Sequence, residues 1–472
     1  MDSNKYLGEE KISKLLLKFS IPCVLGLLIS ALYNIVDQIF IGNCESLGEI
    51  GLAAVGVSFP IICIVNAFAW CVGDGAASYL SICFGRKDGN SAHKCIGTGI
   101  VLTTIISIVL LTICIIFARP LMSVFGASEN SIDMAVKYFI ILSSFFPFYL
   151  LLNVTNSMIR ADGSPKYAMI AMLLGAIINI ALDPLFIYVF NWGIDGAAWA
   201  TVIGQVASFM MCAVYFIKPK SFKLTLKSFI PDLKVLKNVI SLGAATFITQ
   251  ISIAVLSVVS NVILKEYSLL SANTNYLPDI PIAVFSVQTK VYTVVCNIVT
   301  GIVLGGQPIF GYNYGAKKYD RVKQTYKIVL ISTLVIGITA TLIFQLCPEI
   351  IINLFGKGDA LYQDYAIKTF KIYLSLMTIT CLIKMTAVFF QSIGKSVRAA
   401  IASLIRDILC FTPTVIILSN VMESKEAGTG VYGILYAAPI ADFISIFVIL
   451  ILTITFFASL DKDKKELKLK TN

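Results

Sequence analysis

Stretches of about 20 apolar residues, punctuated by glycine, proline or short charged loops, recur along the whole chain. A run of that length is what an α-helix needs to cross a hydrocarbon layer about 30 Å thick. Twelve spans are expected, at 14–42, 52–82, 92–117, 133–160, 165–190, 194–217, 236–265, 280–306, 322–346, 363–393, 398–419 and 431–458. With 57% of the 472 residues hydrophobic and only 14% charged, a water-soluble globular fold is excluded. The first apolar run follows MDSNKYLGEEKISK without a small-residue cleavage site, so it reads as a retained helix and not a signal peptide.

The net charge of +10 is a matter of orientation and not of nucleic-acid binding. Basic residues gather at the N-terminus (Lys5, Lys11, Lys14, Lys18), after the second span (Arg86, Lys87, Lys94), after the fourth (Arg160, Lys166), from Lys218 to Lys237, from Lys317 to Lys327, around Lys395, Arg398 and Arg406, and in the tail. The opposite loops hold Arg119, Lys265, Lys357 and Lys425. By the positive-inside rule both termini and the 218–237 stretch are expected in the cytoplasm. The twelve cysteines show no CxxC spacing and suit reduced, small apolar side chains, and His93 alone cannot make the usual zinc site.

Sliding the chain on itself by about 230 residues aligns FGRKDGNSAHK (84–94) with YGAKKYDRVKQ (314–324), FGASENSIDMAVKYF (125–139) with FGKGDALYQDYAIKTF (355–370), SMIRADGSPKYAM (157–169) with FFQSIGKSVRAAI (389–401), and Pro184 with Pro413. The expected fold is therefore all-α and polytopic, two pseudo-symmetric six-helix bundles: a lobe at 1–217, a basic linker at 218–235, a second lobe at 236–460 and a basic tail at 461–472. Parallel repeats of this kind place a substrate path between the halves, which favours a transporter.

Ionisable residues inside spans are functional candidates because their burial in hydrocarbon is costly. In LGAIINIALDPLFIYVF (174–190), Asn179 and Asp183 are four apart and share a helix face, and Pro184 loosens the backbone beside them. Asp37 sits mid-span in the first helix, with Pro22 as a candidate kink point, and Thr201 in the sixth helix offers another oxygen. Together they suggest an oxygen-lined pocket for a proton or small cation. The plainer alternative is that each aspartate is a separately satisfied buried group. Asp74, between glycines, reads as bonding the backbone at an irregular turn. Arg406, Asp407 and Asp442 read as end-of-helix charges that snorkel or pair. Lys290 and Lys384 lie deeper in the second half, as charges that respond to cargo or as structural partners. SIGKS (392–396) lacks the first glycine of a phosphate loop, and no HExxH or GxSxG occurs. No enzyme is expected.

Taken in order, IPCVLGLLISALYNIVDQIFIG, GDGAASYLSICFGRKD, SMIRADGSPKYAM, NIALDPLFI and GIDGAAWATVIGQ resemble the multidrug and toxic compound extrusion (MATE) transporters, in the bacterial branch with DinF-like and MepA-like exporters. The resemblance spans roughly 12–458. It implies a V-shaped pair of lobes of the MOP type, in a bacterial inner membrane, that expels small lipophilic or cationic drugs against an inward Na⁺ or H⁺ gradient. It also implies that Asp37, Asn179, Asp183 and Thr201 form the cation site, that Pro22 and Pro184 serve bending or gating, and that no further cofactor is needed. The NorM-type branch places acids in its seventh and tenth helices, where this chain has Asn261 and Lys384. Coupling is therefore expected in the first lobe. Membrane lipids are expected partners, nucleic acid is not, and a monomer is expected. The alternative cargo is a lipid-linked saccharide, carried by a flippase of the same superfamily; that cargo calls for an arginine-rich cavity.

Overall fold

A computed structural model describes residues 2–471 apart from 45–46, 126, 128, 130, 223, 271–278, 355–359 and 427. Lys223, Lys357, the start of the 355–370 motif and parts of its counterpart at 125–139 thus lie outside the described residues. The helices are α1 (Ile12–Gly42), α2 (Gly48–Arg86), α3 (Gly89–Ile116), α4 (Ile132–Ser144), α5 (Phe146–Ala161), α6 (Pro165–Pro184), α7 (Gly193–Tyr215), α8 (Leu233–Leu270), α9 (Asp279–Gly315), α10 (Tyr319–Leu346), α11 (Ala360–Tyr373), α12 (Met377–Ser392), α13 (Ser396–Leu404), α14 (Thr412–Lys425) and α15 (Gly433–Thr471), with short helical turns between them. Among the described residues there is no strand. Ten segments are long and apolar enough to cross a membrane, and two bent pairs, α4 with α5 and α11 with α12, bring the number to twelve if each pair is one span.

The bends, 54° and 51°, break spans expected to be continuous. At the first, Pro147 has no N–H to donate and its ring excludes the carbonyl of Ser143, so the helix restarts in a new direction. The second has no proline. There the Ser375 hydroxyl donates to the Ile372 carbonyl at 2.8 Å, and the backbone N–H of Thr378 donates to Thr341 Oγ1 at 3.3 Å, which satisfies groups the break would leave bare.

The duplication read from sequence is visible in the backbone. Lys87 and Lys317 end α2 and α9 in the left-handed region, at φ 60° and 58°, and Gly163 and Gly394 end α5 and α12, both at φ 82°. Each pair is separated by the same offset, of about 230 residues, as the two bends.

The chain divides into two compact units: residues 1–250, 304–325 and 391–396 form one, and residues 251–303, 326–390 and 397–472 the other. In the first, α1 packs on α6, α6 on α7, and α2 on α5, over a core that includes Phe139, Phe146, Ile187, Ala197 and Val202. On α3, Ile105, Ile108, Ile113 and Ile116 face outward, as lipid-facing residues should. The 3₁₀ segment Asp2–Gly8 is clasped through its backbone: Asn313 Nδ2 and Arg321 Nη2 donate to the Leu7 carbonyl at 3.0 and 3.3 Å, and Lys318 Nζ to that of Gly8 at 3.0 Å. Asp232 accepts a 2.8 Å bond from Lys94 Nζ, which holds its carboxyl below the usual carboxylate range and ties the 218–232 stretch to α3.

The core of the second unit includes clustered aromatics, Tyr326, Phe389, Phe390, Phe456 and Phe457, packed mainly edge to face, with the Arg398 guanidinium over two of the rings.

Backbones of α2 and α8 touch within the first unit. A Cβ on Gly243 would lie 1.8 Å from the Cys71 carbonyl oxygen, and one on Gly75 2.2 Å from that of Val239. Because the obstacle is backbone, it cannot rotate away. Gly243→Leu is expected to destabilise the protein by at least the 1–3 kcal/mol typical of overpacking, roughly. Gly26→Ala, where a Cβ meets nothing within 4 Å, is expected to leave the melting temperature unchanged or slightly raised. Thermal unfolding of the two purified variants beside wild type checks both.

Candidate functional site

Asp37 of α1, Asn179 and Asp183 of α6 and Thr201 of α7 belong to helices that pack together in the first unit. The i, i+4 spacing on α6 does what the sequence suggests: Asn179 Nδ2 donates to Asp183 Oδ1 at 3.2 Å and reaches Thr201 Oγ1 at 3.4 Å. Asp37, Asn179 and Asp183 are buried and Thr201 is half-buried. Asp37 lies within Coulombic reach of Asp183. Pro184 closes the last regular turn of α6, and Leu185–Val189 continue as a wider π-helical turn in which Phe190 N–H bonds the Leu185 carbonyl at 2.9 Å. The missing N–H of Pro184 frees the carbonyl of Ile180 one turn earlier.

Three oxygens of this group, Asp37 Oδ1, Asn179 Oδ1 and Asp183 Oδ2, are buried with no hydrogen-bond partner among the described residues. Buried polar atoms are normally paired, so three orphans on helices that pack together single this place out as a candidate site. Carboxylate, amide and hydroxyl oxygens are the donor set that a hard monovalent cation prefers, and a carboxylate also holds a proton. The residues present therefore have the chemistry to hold either a small monovalent cation or a proton.

The sequence reading missed Tyr138 of α4. Its buried ring lies within electrostatic reach of both Asp37 and Asp183, and Tyr33, one turn before Asp37, is near it as well. Among 20 tyrosines nothing local distinguishes these two. The signal was only that Tyr138 and Tyr33 fall in spans that meet the aspartates.

Other expectations are corrected. Asp74 does not serve an irregular turn, since α2 runs unbroken from Gly48 to Arg86. It forms an ion pair with Arg160 Nη2 at 3.2 Å and accepts from Ser157 Oγ at 3.2 Å, while its flanking glycines allow close approach of neighbouring helices. Arg406, Asp407 and Asp442 follow the pairing half of the expectation and not the snorkelling half. They are buried, with Arg406 Nη1 to Asp407 at 2.7 Å and Arg406 Nε to Asp442 at 2.6 Å, and Lys384 joins them through Asp407 at 3.3 Å. Lys290, half-buried on α9, stands outside that network. Pro22 is buried inside α1, which continues through it from Ile12 to Gly42.

An all-helical chain with ten to twelve membrane-length segments and a buried polar pocket within them is a multi-pass membrane protein of transporter type. It belongs to the MatE family of multidrug efflux transporters, whose family model matches residues 22–185 and 245–417. The chain is similar to the multidrug export protein MepA of Staphylococcus haemolyticus, 26% identical over 449 residues that cover 94% of each chain. The MepA of Staphylococcus aureus is 25% identical over 359 residues, 76% of this chain and 77% of the relative. In fold it matches a multidrug resistance MATE family transporter of the MOP superfamily in an outward-facing conformation, with a TM-score of 0.87, 22% identity and coverage of 98% and 99%. A MATE crystal structure in a bent conformation gives a TM-score of 0.86 at 22% identity and the same coverage.

Proposed function

We propose that this chain is a secondary active exporter that exchanges small lipophilic, often cationic compounds for H⁺ or Na⁺ by alternating access. The coupling ion is held by Asp37, Asn179, Asp183 and Thr201. The observation that carries the reading is the trio of unpartnered buried oxygens on Asp37, Asn179 and Asp183. Two carboxylates in a dry pocket cannot both keep bare charge, so the pair retains a proton or a cation, or a cationic drug in its place. Ion and drug then compete, and the ion drives export if it binds the outward and inward states with different affinity. In this reading Pro22 is where α1 bends on ion binding, the lobes are 1–217 and 236–460, and both termini are cytoplasmic. The flippase alternative lacks support, because the half-buried Arg160 and the buried Arg406 are each tied to aspartate and so are not free for a pyrophosphate.

The test is efflux of a fluorescent cationic dye from proteoliposomes under an imposed Na⁺ gradient or an imposed pH gradient. Export driven by one of them is expected and identifies the ion. No movement under either, in protein shown to be folded, overturns the proposal.

A further inference from the structure

The second unit encloses a four-charge network that the proposed ion site does not use. Lys384 comes from α12, Arg406 and Asp407 from the π-helical turn Ile405–Phe411, and Asp442 from α15. Thr380 Oγ1 donates to Asp442, within 2.9 and 3.0 Å of its two oxygens, and the Arg406 guanidinium lies 5.6 Å from the centre of the Tyr292 ring. Two positive and two negative charges balance, as buried charges must.

The members are not equivalent. The side chains of Arg406, Asp407 and Asp442 are 2%, 4% and 1% exposed, whereas that of Lys384 is 16% exposed. The Lys384 contact, at 3.3 Å, is the longest in the network, against 2.6 and 2.7 Å for those of Arg406. Arg406 alone reaches both acids, so Asp407 stays paired if the ammonium turns away. Lys384 donates one hydrogen bond among the described residues and retains two N–H groups. The Lys384 side chain is only partly covered, and because an ammonium within a span is costly against lipid, its uncovered part has to reach water or a polar guest.

We propose that Lys384 is a recognition site for an acidic group, a carboxylate in the first instance, on amphiphilic cargo. A carboxylate satisfies the two spare N–H groups with a charge-assisted bond while Arg406 continues to hold Asp407. The cargo then includes zwitterions, whose acidic end is read in the second unit. This goes beyond the exporter reading, which supplies only the direction of movement.

The experiment uses a rhodamine with a free carboxylate and the methyl ester of the same dye. Equilibrium binding is measured by fluorescence anisotropy on the purified full-length protein, and export is measured in vesicles of phosphatidylcholine with and without phosphatidylglycerol. Lys384→Gln is expected to lower the acid-to-ester preference about tenfold in both assays, and Lys384→Arg to restore most of it. A preference that does not change in Lys384→Gln overturns the proposal. So does an effect confined to vesicles with the anionic lipid, which would assign Lys384 to a phospholipid headgroup. Should neither dye be exported while the binding preference still responds, the exporter reading fails and this one stands; should the ester be exported while the preference is unmoved, the reverse holds.

Discussion

Asp183→Asn is expected to leave a folded, membrane-inserted protein whose gradient-driven dye export falls to the level of empty vesicles. The substitution keeps the volume of the side chain and leaves Asn179 an oxygen to donate to, so the α6 contact at 3.2 Å has a substitute and packing is preserved. What changes is charge. At about 4 Å and an effective dielectric near 20, one carboxylate attracts a monovalent cation by about 4 kcal/mol, which corresponds to roughly a thousandfold in affinity. An ion bound that much more weakly no longer shifts the equilibrium between states. Asp37→Asn is expected to behave alike, since its Oδ1 is another of the orphaned oxygens. Circular dichroism and size-exclusion profiles matching wild type, beside the lost export, are the full expected result. Normal gradient-driven export by Asp183→Asn would remove the pocket from the mechanism.

Arg406→Leu is expected to be the most destabilising single change in the second unit. Its guanidinium serves Asp407 and Asp442 at once, and removing it leaves two buried acids with one cation, Lys384, between them. Breaking a buried pair by deleting one partner costs about 3–5 kcal/mol, because the remaining charge stays desolvated. A double variant, Arg406→Leu with Asp442→Leu, restores neutrality through the Lys384–Asp407 pair and is expected to melt higher than the single variant. Replacing a whole buried pair by apolar residues is often near neutral. Thermal melts of wild type, single and double variants decide the matter; a double variant no better than the single one would show that shape, not charge, holds this region.

Much of this architecture is legible along the chain because hydropathy reports directly on lipid. It marks where the spans are but not where they turn. The bend at Phe145 coincides with a visible Pro147, yet its twin at Leu374 to Leu376 depends on Thr341 meeting Thr378, a contact across 37 residues that no local pattern encodes. The grouping of Asn179 with Asp183 was readable for a related reason: a polar residue inside an apolar run stands out, and the spacing of the two fixes a common face. Asp74 stood out equally but was misread, since Arg160, its partner, is 86 residues away and the glycines beside it looked like a break. Tyr138 did not stand out, because an aromatic ring in a membrane helix is ordinary until its neighbours are known.

The clasp on the N-terminal segment has a bearing on biogenesis. Leu7 is held by Arg321, 314 residues further along. At synthesis rates of about 5–20 residues per second, the first turn of the protein waits roughly 15–60 s for the side chain that fastens it. During that interval α1 and its neighbours are already being made while the segment has nothing of α10 to grip. Its docking is a late event, closing the first unit only after most of the polypeptide has left the ribosome, so a chain truncated before α10 lacks that fastening however well its earlier helices insert.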